Sequence, residues 1–358
     1  MKFIKNFILI LLFIFPISNS FGAMHTFVQN KDVSDSEMVV AGIHFNPAGT
    51  KMFVVSSNKS NDYTDVYEYN LSTPFNISTA SYATDAERCN LDSGSDSLGP
   101  NSFVYDLEFS NDGMKLFVGR GNNGESTDDD RVFRFDLTSP YDVSTCSFVN
   151  QTSELDSSAL QDDSSAGNVA RGGSNRLQGI EISDDGTKLF AIFHSTPTGG
   201  NTRLLEYQLS TAFDLSDISL VTNAGIELED ETTNPKGIRF SPDGKRLWVV
   251  DHQNSATGKD VTQISLDVAF STSSFTIDGT VSLSNNAQPN GIAFSTNGLK
   301  MYVGGDTTKL VIEYDLVCPF NIIAGKCPPV TENSVRTGIA EAQIMIAKRT
   351  IDHSTKSA

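Results

Sequence analysis

Asp251 and His252 stand side by side directly after the apolar run Leu-Trp-Val-Val250. Polar residues fill the same place after three comparable runs: Arg120 after Leu-Phe-Val-Gly119, His194 after Phe-Ala-Ile-Phe193, and Asp306 after Tyr-Val-Gly-Gly305. A carboxylate next to an imidazole can orient a proton transfer, and a guanidinium nearby can hold an anion, so these five residues form a candidate ligand-binding set. Strand ends are also polar simply because they meet water, and the set does not repeat one ligand type at equivalent positions. Asp128, Asp129 and Asp130, with Glu125, Asn122 and Asn123, offer the oxygen ligands that Ca²⁺ takes, although their spacing is not that of an EF-hand loop. No GxSxG elbow, HExxH helix, CxxC pair or phosphate-cradling glycine loop occurs.

The elements that must position these residues are repeated. Five segments share one pattern of apolar strand, Gly-containing turn and second apolar strand: Gly42-Ile-His-Phe45 through Gly49 to Val55, then segments starting at Asp106, Gly179, Gly237 and Gly291. Gly49, Gly113, Gly186, Gly244 and Gly298 end turns rich in Asp, Asn and Pro, which predicts hairpins whose glycine takes positive φ. An alternating third strand follows, as in Val66-Tyr-Glu-Tyr69 and Val132-Phe-Arg-Phe135, and then a stereotyped corner such as Leu71-Ser-Thr-Pro-Phe-Asn-Ile77. The corner leads to a fourth strand at Ala80–Tyr82, Cys146–Phe148, Ile218–Leu220 and Ser274–Thr276.

Four strands per repeat predict an all-β fold, a five-bladed β-propeller. The last repeat reaches its corner at Cys318-Pro-Phe-Asn-Ile322 without a fourth strand, whereas His25-Thr-Phe-Val-Gln29 resembles Cys146–Asn150 and precedes the first repeat. The N-terminal strand is therefore expected to complete the last blade against Val311–Leu316, leaving no open edge at the seam. In an open solenoid that strand would have no role. Phe45, Phe109, Phe240, Phe294 and Trp248 are expected in the inter-blade core rather than on a sugar-stacking platform.

These repeats resemble a family of secreted bacterial and phage propellers with the pattern GIxFSPDGxKxxV followed by LSTPFDIST, similar to lactonase-like, YVTN-type extracellular propellers. The resemblance covers about residues 25–328 and implies the fold; the chemistry stays open because one propeller hosts many functions. A lactonase-like enzyme would need carboxylates, His or Asn converging on the channel to hold a metal. The residues just before the inner strands are Ala41, Tyr105, Gln178, Lys236 and Asn290, and this ring, lacking a carboxylate, weighs against metal-dependent hydrolysis. The leading expectation is a non-catalytic module that binds a protein or glycan through its long-loop face, without a cofactor other than a candidate Ca²⁺. The alternatives are an extracellular hydrolase at the channel mouth, or the passenger fragment of an autotransporter-like outer-membrane protein.

Residues 1–23 read as a signal peptide: Lys2 and Lys5, an apolar run from Phe7 to Ile17, then small polar residues. The propeller is assigned to 24–328 and a helical tail or linker to 329–358, where Val335, Ile339, Ala342 and Ile346 recur at helical spacing and Glu341-Ala-Gln343 resembles a linker to a membrane barrel. Export implies a periplasmic, outer-surface or extracellular location, no membrane span in the mature chain, and paired cysteines. Cys318 and Cys327 flank a short segment with Pro319 and Gly325, which favours a local clasp, and Cys89 then pairs with Cys146. The net charge is −18, and removing residues 1–23 takes away two lysines and no acid. Such a surface repels phosphates, which argues against nucleic-acid binding and for a soluble monomer.

Overall fold

The computed structural model describes residues 23–34, 39–56, 65–91, 98, 103–121, 130–155, 174–196, 202–228, 230–232, 234–252, 259–284, 288–305 and 309–327. The segments read as signal peptide and C-terminal helix lie outside them.

Five antiparallel sheets follow one another around a ring, each wound from an inner strand outward. Blade one contains Val40–Phe45, Lys51–Ser56, Asp65–Leu71 and Ala80–Tyr82; blade two Phe103–Phe109, Lys115–Gly121, Arg131–Asp136 and Ser147–Gln151. Blade three contains Ser174–Ile182, Lys188–Thr196, Arg203–Leu209 and Ile218–Leu220; blade four Pro235–Phe240, Arg246–Asp251, Val261–Leu266 and Phe275–Val281. In blades one and three a two-residue strand, Cys89–Asn90 or Ile226–Glu227, also pairs with the third strand. Blade five contains Pro289–Phe294, Lys300–Gly305 and Leu310–Leu316, and its outer strand is His25–Asp32 from the other end of the chain. Their register runs from His25 opposite Leu316 to Asp32 opposite Leu310, longer than the expected His25–Gln29. Among the described residues the fold is thus a ring closed by its own N-terminal strand, which removes the exposed edge at the seam.

The core lies between blades, where aromatic rings of neighbouring sheets meet off-parallel: Phe53 with Phe109, Phe190 with Phe240, Trp248 with Phe294, and Phe45 with Tyr302. Their centroids are 4.3 to 4.7 Å apart, a distance at which ring quadrupoles favour tilted over face-to-face contact. The expected core aromatics occupy these positions.

The hairpin glycine and the corner aromatic are one device. Gly49, Gly113, Gly186, Gly244 and Gly298 have φ between +66° and +70°. Each glycine carbonyl accepts the N–H of the aromatic in the corner of its own blade, Phe75, Tyr141, Phe213, Phe270 or Phe320, at 2.7 to 2.9 Å. That aromatic is itself at positive φ, 51° to 63°, and its ring lies where a Cβ on the glycine would sit, 2.2 to 2.4 Å from the nearest ring carbon. This explains why the SPDG turn and the STPFN corner occur together although the second and third strands separate them.

One disulfide joins two blades and the other closes a local loop. Cys89–Cys146 ties the end of blade one to the corner of blade two. Cys318–Cys327 closes a loop that docks on blade four, where Gln263 donates to Asn321 Oδ1 at 3.0 Å and accepts from Ile322 N at 2.9 Å, and Lys326 pairs with Asp278 at 2.7 Å.

Gly186→Ala is expected to lower unfolding free energy by about 3 kcal/mol, through the unfavourable φ and the displaced Phe213 ring. Urea denaturation checks this, and Phe213→Leu in the same background should recover part of the loss.

Candidate functional site

Each inner strand breaks register with its neighbour at the same place: between Val40 and Gly42, Val104 and Asp106, Leu177 and Gly179, Pro235 and Ile238, and Pro289 and Ile292. A bulge re-aims the side chains beside it. Repeated in all blades, it stacks three rings of residues along the central channel.

The middle ring is a constriction made of Gly42, Gly179, Gly237, Gly291 and Asp106. A Cβ on Gly291 would lie 2.8 Å from the Cα of Gly42, and one on Gly237 would lie 2.7 Å from the carbonyl of Asn290, so only glycine lets these strands approach. The one side chain in the ring is a carboxylate. Asp106 Oδ1 accepts the N–H of Leu107 at 2.9 Å and Oδ2 that of Ile180 at 3.2 Å. Burial raises its pKa to about 7 against the pull of Arg239 and these backbone bonds.

On the turn side the next ring is His44, Glu108, Glu181, Arg239 and Ala293, at the mouth of a cavity of about 250 Å³. Arg239 pairs with Glu108 and lies 3.3 Å from Glu181, while its Nε and Nη2 donate to the carbonyls of Ile292 and Ile43 at 3.4 Å. His44 Nδ1 is 3.5 Å from Glu108. Burial, and then the Arg239 charge, hold the His44 pKa well below the ordinary histidine value. Burial, and then Asp106, push Glu181 well above the ordinary carboxylate range.

On the loop side the ring is Ala41, Tyr105, Gln178, Lys236 and Asn290. Lys236 Nζ donates to Gln178 at 2.5 Å and lies 5.1 Å from the centre of the Tyr105 ring. Three of the residues singled out from sequence meet beside this ring, gathered by Asn234. Its Oδ1 is 2.7 Å from His194 Nδ1, its N–H donates to Asp251 at 3.1 Å, and its carbonyl accepts the N–H of His252 at 2.9 Å. His252 Nδ1 is 2.9 Å from Asn290 Oδ1, and the Asn290 amide group donates to the Val40 carbonyl at 3.1 Å. That second bond fixes the Asn290 orientation and makes His252 Nδ1 a donor. Burial lowers the His194 pKa, opposed by the Asn234 bond and assisted by Lys236 and Arg176, so its imidazole is neutral.

Arg120 lies in blade two, where it pairs in register with Val104 and Arg131; among the described residues no contact joins it to the Asn234 group. Asp306, Asp128 and Asp129 lie outside the described residues. Asp130 is buried and its carbonyl accepts the Leu155 N–H. Among the described residues no three His, Cys, Asp or Glu side chains are placed to hold a metal.

The ring read from the sequence, Ala41, Tyr105, Gln178, Lys236 and Asn290, carries no carboxylate at the loop-side mouth, but the bulge admits the next positions to the channel as well and brings in Asp106, Glu108 and Glu181. Their signal was present in the repeat: the variable third residue of Gly-Ile-x-Phe reads His, Glu, Glu, Arg and Ala inside otherwise apolar strands.

Together these features define a five-bladed β-propeller with a polar site at each end of its channel. No known sequence family matches the chain, and no curated protein sequence does. Among solved structures, it is similar to a gluconolactonase from Xanthomonas campestris, at 12% identity and a TM-score of 0.38 over 77% of this chain and 71% of that one. A β-propeller domain from Myceliophteria thermophila aligns at 11% identity and a TM-score of 0.37, over 82% of this chain and all of that domain.

Asp106 has its pKa raised in the folded state, so its contribution to stability is present below about pH 4 and is lost as pH rises toward 7. His25, His44 and His194 slope the opposite way, since their lowered values favour the fold at high pH. The comparison is therefore wild type against Asp106→Asn. The stability of wild type relative to the variant, measured by urea denaturation, should fall between pH 4 and pH 7 and level off above.

Proposed function

We propose that the chain is an exported, non-catalytic binding module that holds a glycan at the loop-side mouth of its channel. What supports this reading most is the convergence of His194, Asp251 and His252 on Asn234, next to Lys236, Gln178 and Asn290. The geometry divides the labour. Asp251 is buried and accepts the N–H of Asn234, which makes it a positioning group, while Asn290 holds His252 in one tautomer and His194 turns its Nδ1 to the Asn234 amide. Phe103 and Tyr105 stack at 6.1 Å and 13° beside this ring, the partly exposed aromatic surface on which a sugar face packs. Directional hydrogen-bonding groups beside an aromatic face, with one ammonium at Lys236, suit a polyhydroxylated ligand better than a flat protein surface. Disulfides, and the absence of an apolar helix long enough to cross a membrane among the described residues, accord with an extracellular or periplasmic site of action.

The same convergence favours a second reading, in which His194 serves as the base of an extracellular hydrolase. Glycan-array binding by the full mature chain separates the two. The binding reading expects saturable retention of a glycan without turnover, weakened about tenfold or more by His252→Ala or Asn234→Ala. Cleavage of the retained glycan, lost in His194→Ala, would establish the hydrolase. Retention of no glycan, or equal retention by the His252 variant, would overturn the proposal and leave a protein partner as the occupant of this face.

A further inference from the structure

The turn-side mouth has an imbalance that the fold alone does not require. Asp106, Glu108 and Glu181 gather around a single guanidinium, Arg239, Asp184 stands beside Glu181 at the exposed rim, and burial holds the His44 pKa well below the ordinary value. Asp106 is answered by backbone N–H groups and Glu108 by Arg239. Glu181 takes a backbone hydrogen bond from Phe240, but it is 6% exposed, lines the cavity, and its Oε2 has no hydrogen bond. Arg239 Nη1, the cation 3.3 Å away, is already bonded to Glu108. A buried carboxylate oxygen without a donor is costly, and a ligand that supplies one removes the cost.

The rest of the lining is mixed, with aromatic rings beside polar turn residues such as Asn46, Ser241 and Ser295. Phe45, Phe109, Phe240 and Phe294 complete its wall one residue beyond the charged ring, and Tyr141 stands at the rim, its hydroxyl bonded to the Asn111 carbonyl at 3.1 Å. Ring faces attract a cation within about 6 Å, most strongly when it is desolvated and poorly hydrated. A bare metal ion fits badly, because no three of the acidic groups are placed to ligate one. A volume of about 250 Å³ admits a compact head group rather than a chain.

We propose that the turn-side mouth is a receptor site for a compact organic cation, a substituted ammonium or a guanidinium, seated between Glu181 and the rings of Phe109, Phe240 and Phe294. It lies across the glycine constriction from the loop-side mouth and is independent of the glycan site. Glu181 faces Asp106 and Asp184, with His44, Glu108 and Arg239 around it, so an entering cation favours its ionised form and binding strengthens as pH rises.

The reporter is built in. Trp248 is the single tryptophan, 4.3 Å from Phe294 and 6.2 Å from Phe320, both of which line the cavity. The full mature chain is titrated with tetramethylammonium, with N-acetylargininamide and with sodium at equal ionic strength, by Trp248 fluorescence and by calorimetry. The expected result is a saturable response to an organic cation and none to sodium, weakened about tenfold by Glu181→Gln and less by Asp184→Asn at the rim. Tighter binding of tetramethylammonium points to a free small cation, and tighter binding of the arginine derivative to a side chain presented by another protein. No saturable response by either method, or an affinity unchanged in both folded variants, overturns the proposal.

Discussion

Arg239 touches every blade of the ring. It belongs to blade four, pairs with carboxylates of blades two and three, and donates to carbonyls of blades one and five. A propeller has no strand that runs across its centre, so its inner edges are held by the packing between blades and by what fills the channel. Here the filling is ionic. Removing two charges from water costs several kcal/mol per ion and is offset only when the partners stay in place. The geometry of the inner strands, their bulges and the glycines that let them approach all serve to keep those partners together.

The constriction divides the channel into two unlike ends. The loop-side mouth is built from hydrogen-bonding groups positioned by Asn234 and Asn290 around the Lys236 ammonium, whereas the turn-side mouth gathers carboxylates and aromatic rings. The difference follows from where each residue lies relative to the bulge. Side chains before it turn to the loops, and the alternate positions after it turn to the hairpins. One inner strand thus supplies both sites, which couples their placement to the same backbone irregularity.

Much of this was legible in the residues. The closure of blade five by His25–Asp32 could be read because a fourth strand was missing at one end and present at the other, and strand pairing leaves few other solutions. Both disulfides followed from spacing and the number of cysteines. The co-operation of Gly186 with Phe213 was half legible: the positive φ of the glycine was foreseen, but that the aromatic also takes positive φ and occupies the absent Cβ has no local signature. The charged ring was missed for a different reason. His44, Glu108, Glu181 and Arg239 look like solvent-facing positions of alternating strands, and only the inward curvature of five strands shows that the water they would face is a channel. Asn234 could not be found from sequence, since nothing in Thr-Thr-Asn-Pro distinguishes a bracket from a loop.

The central claim is that Arg239, Glu108 and Glu181 act as one buried unit holding the inner strands. The direct measurement is the urea unfolding free energy of Arg239→Met alone and combined with Glu108→Gln and Glu181→Gln. The account predicts a loss of about 3 to 5 kcal/mol for the single change, because it strands the buried Glu108 carboxylate beside Glu181, and recovery of most of that loss when both acids are made amides. A single variant as stable as wild type, or a triple variant that loses the sum of its parts, would contradict it.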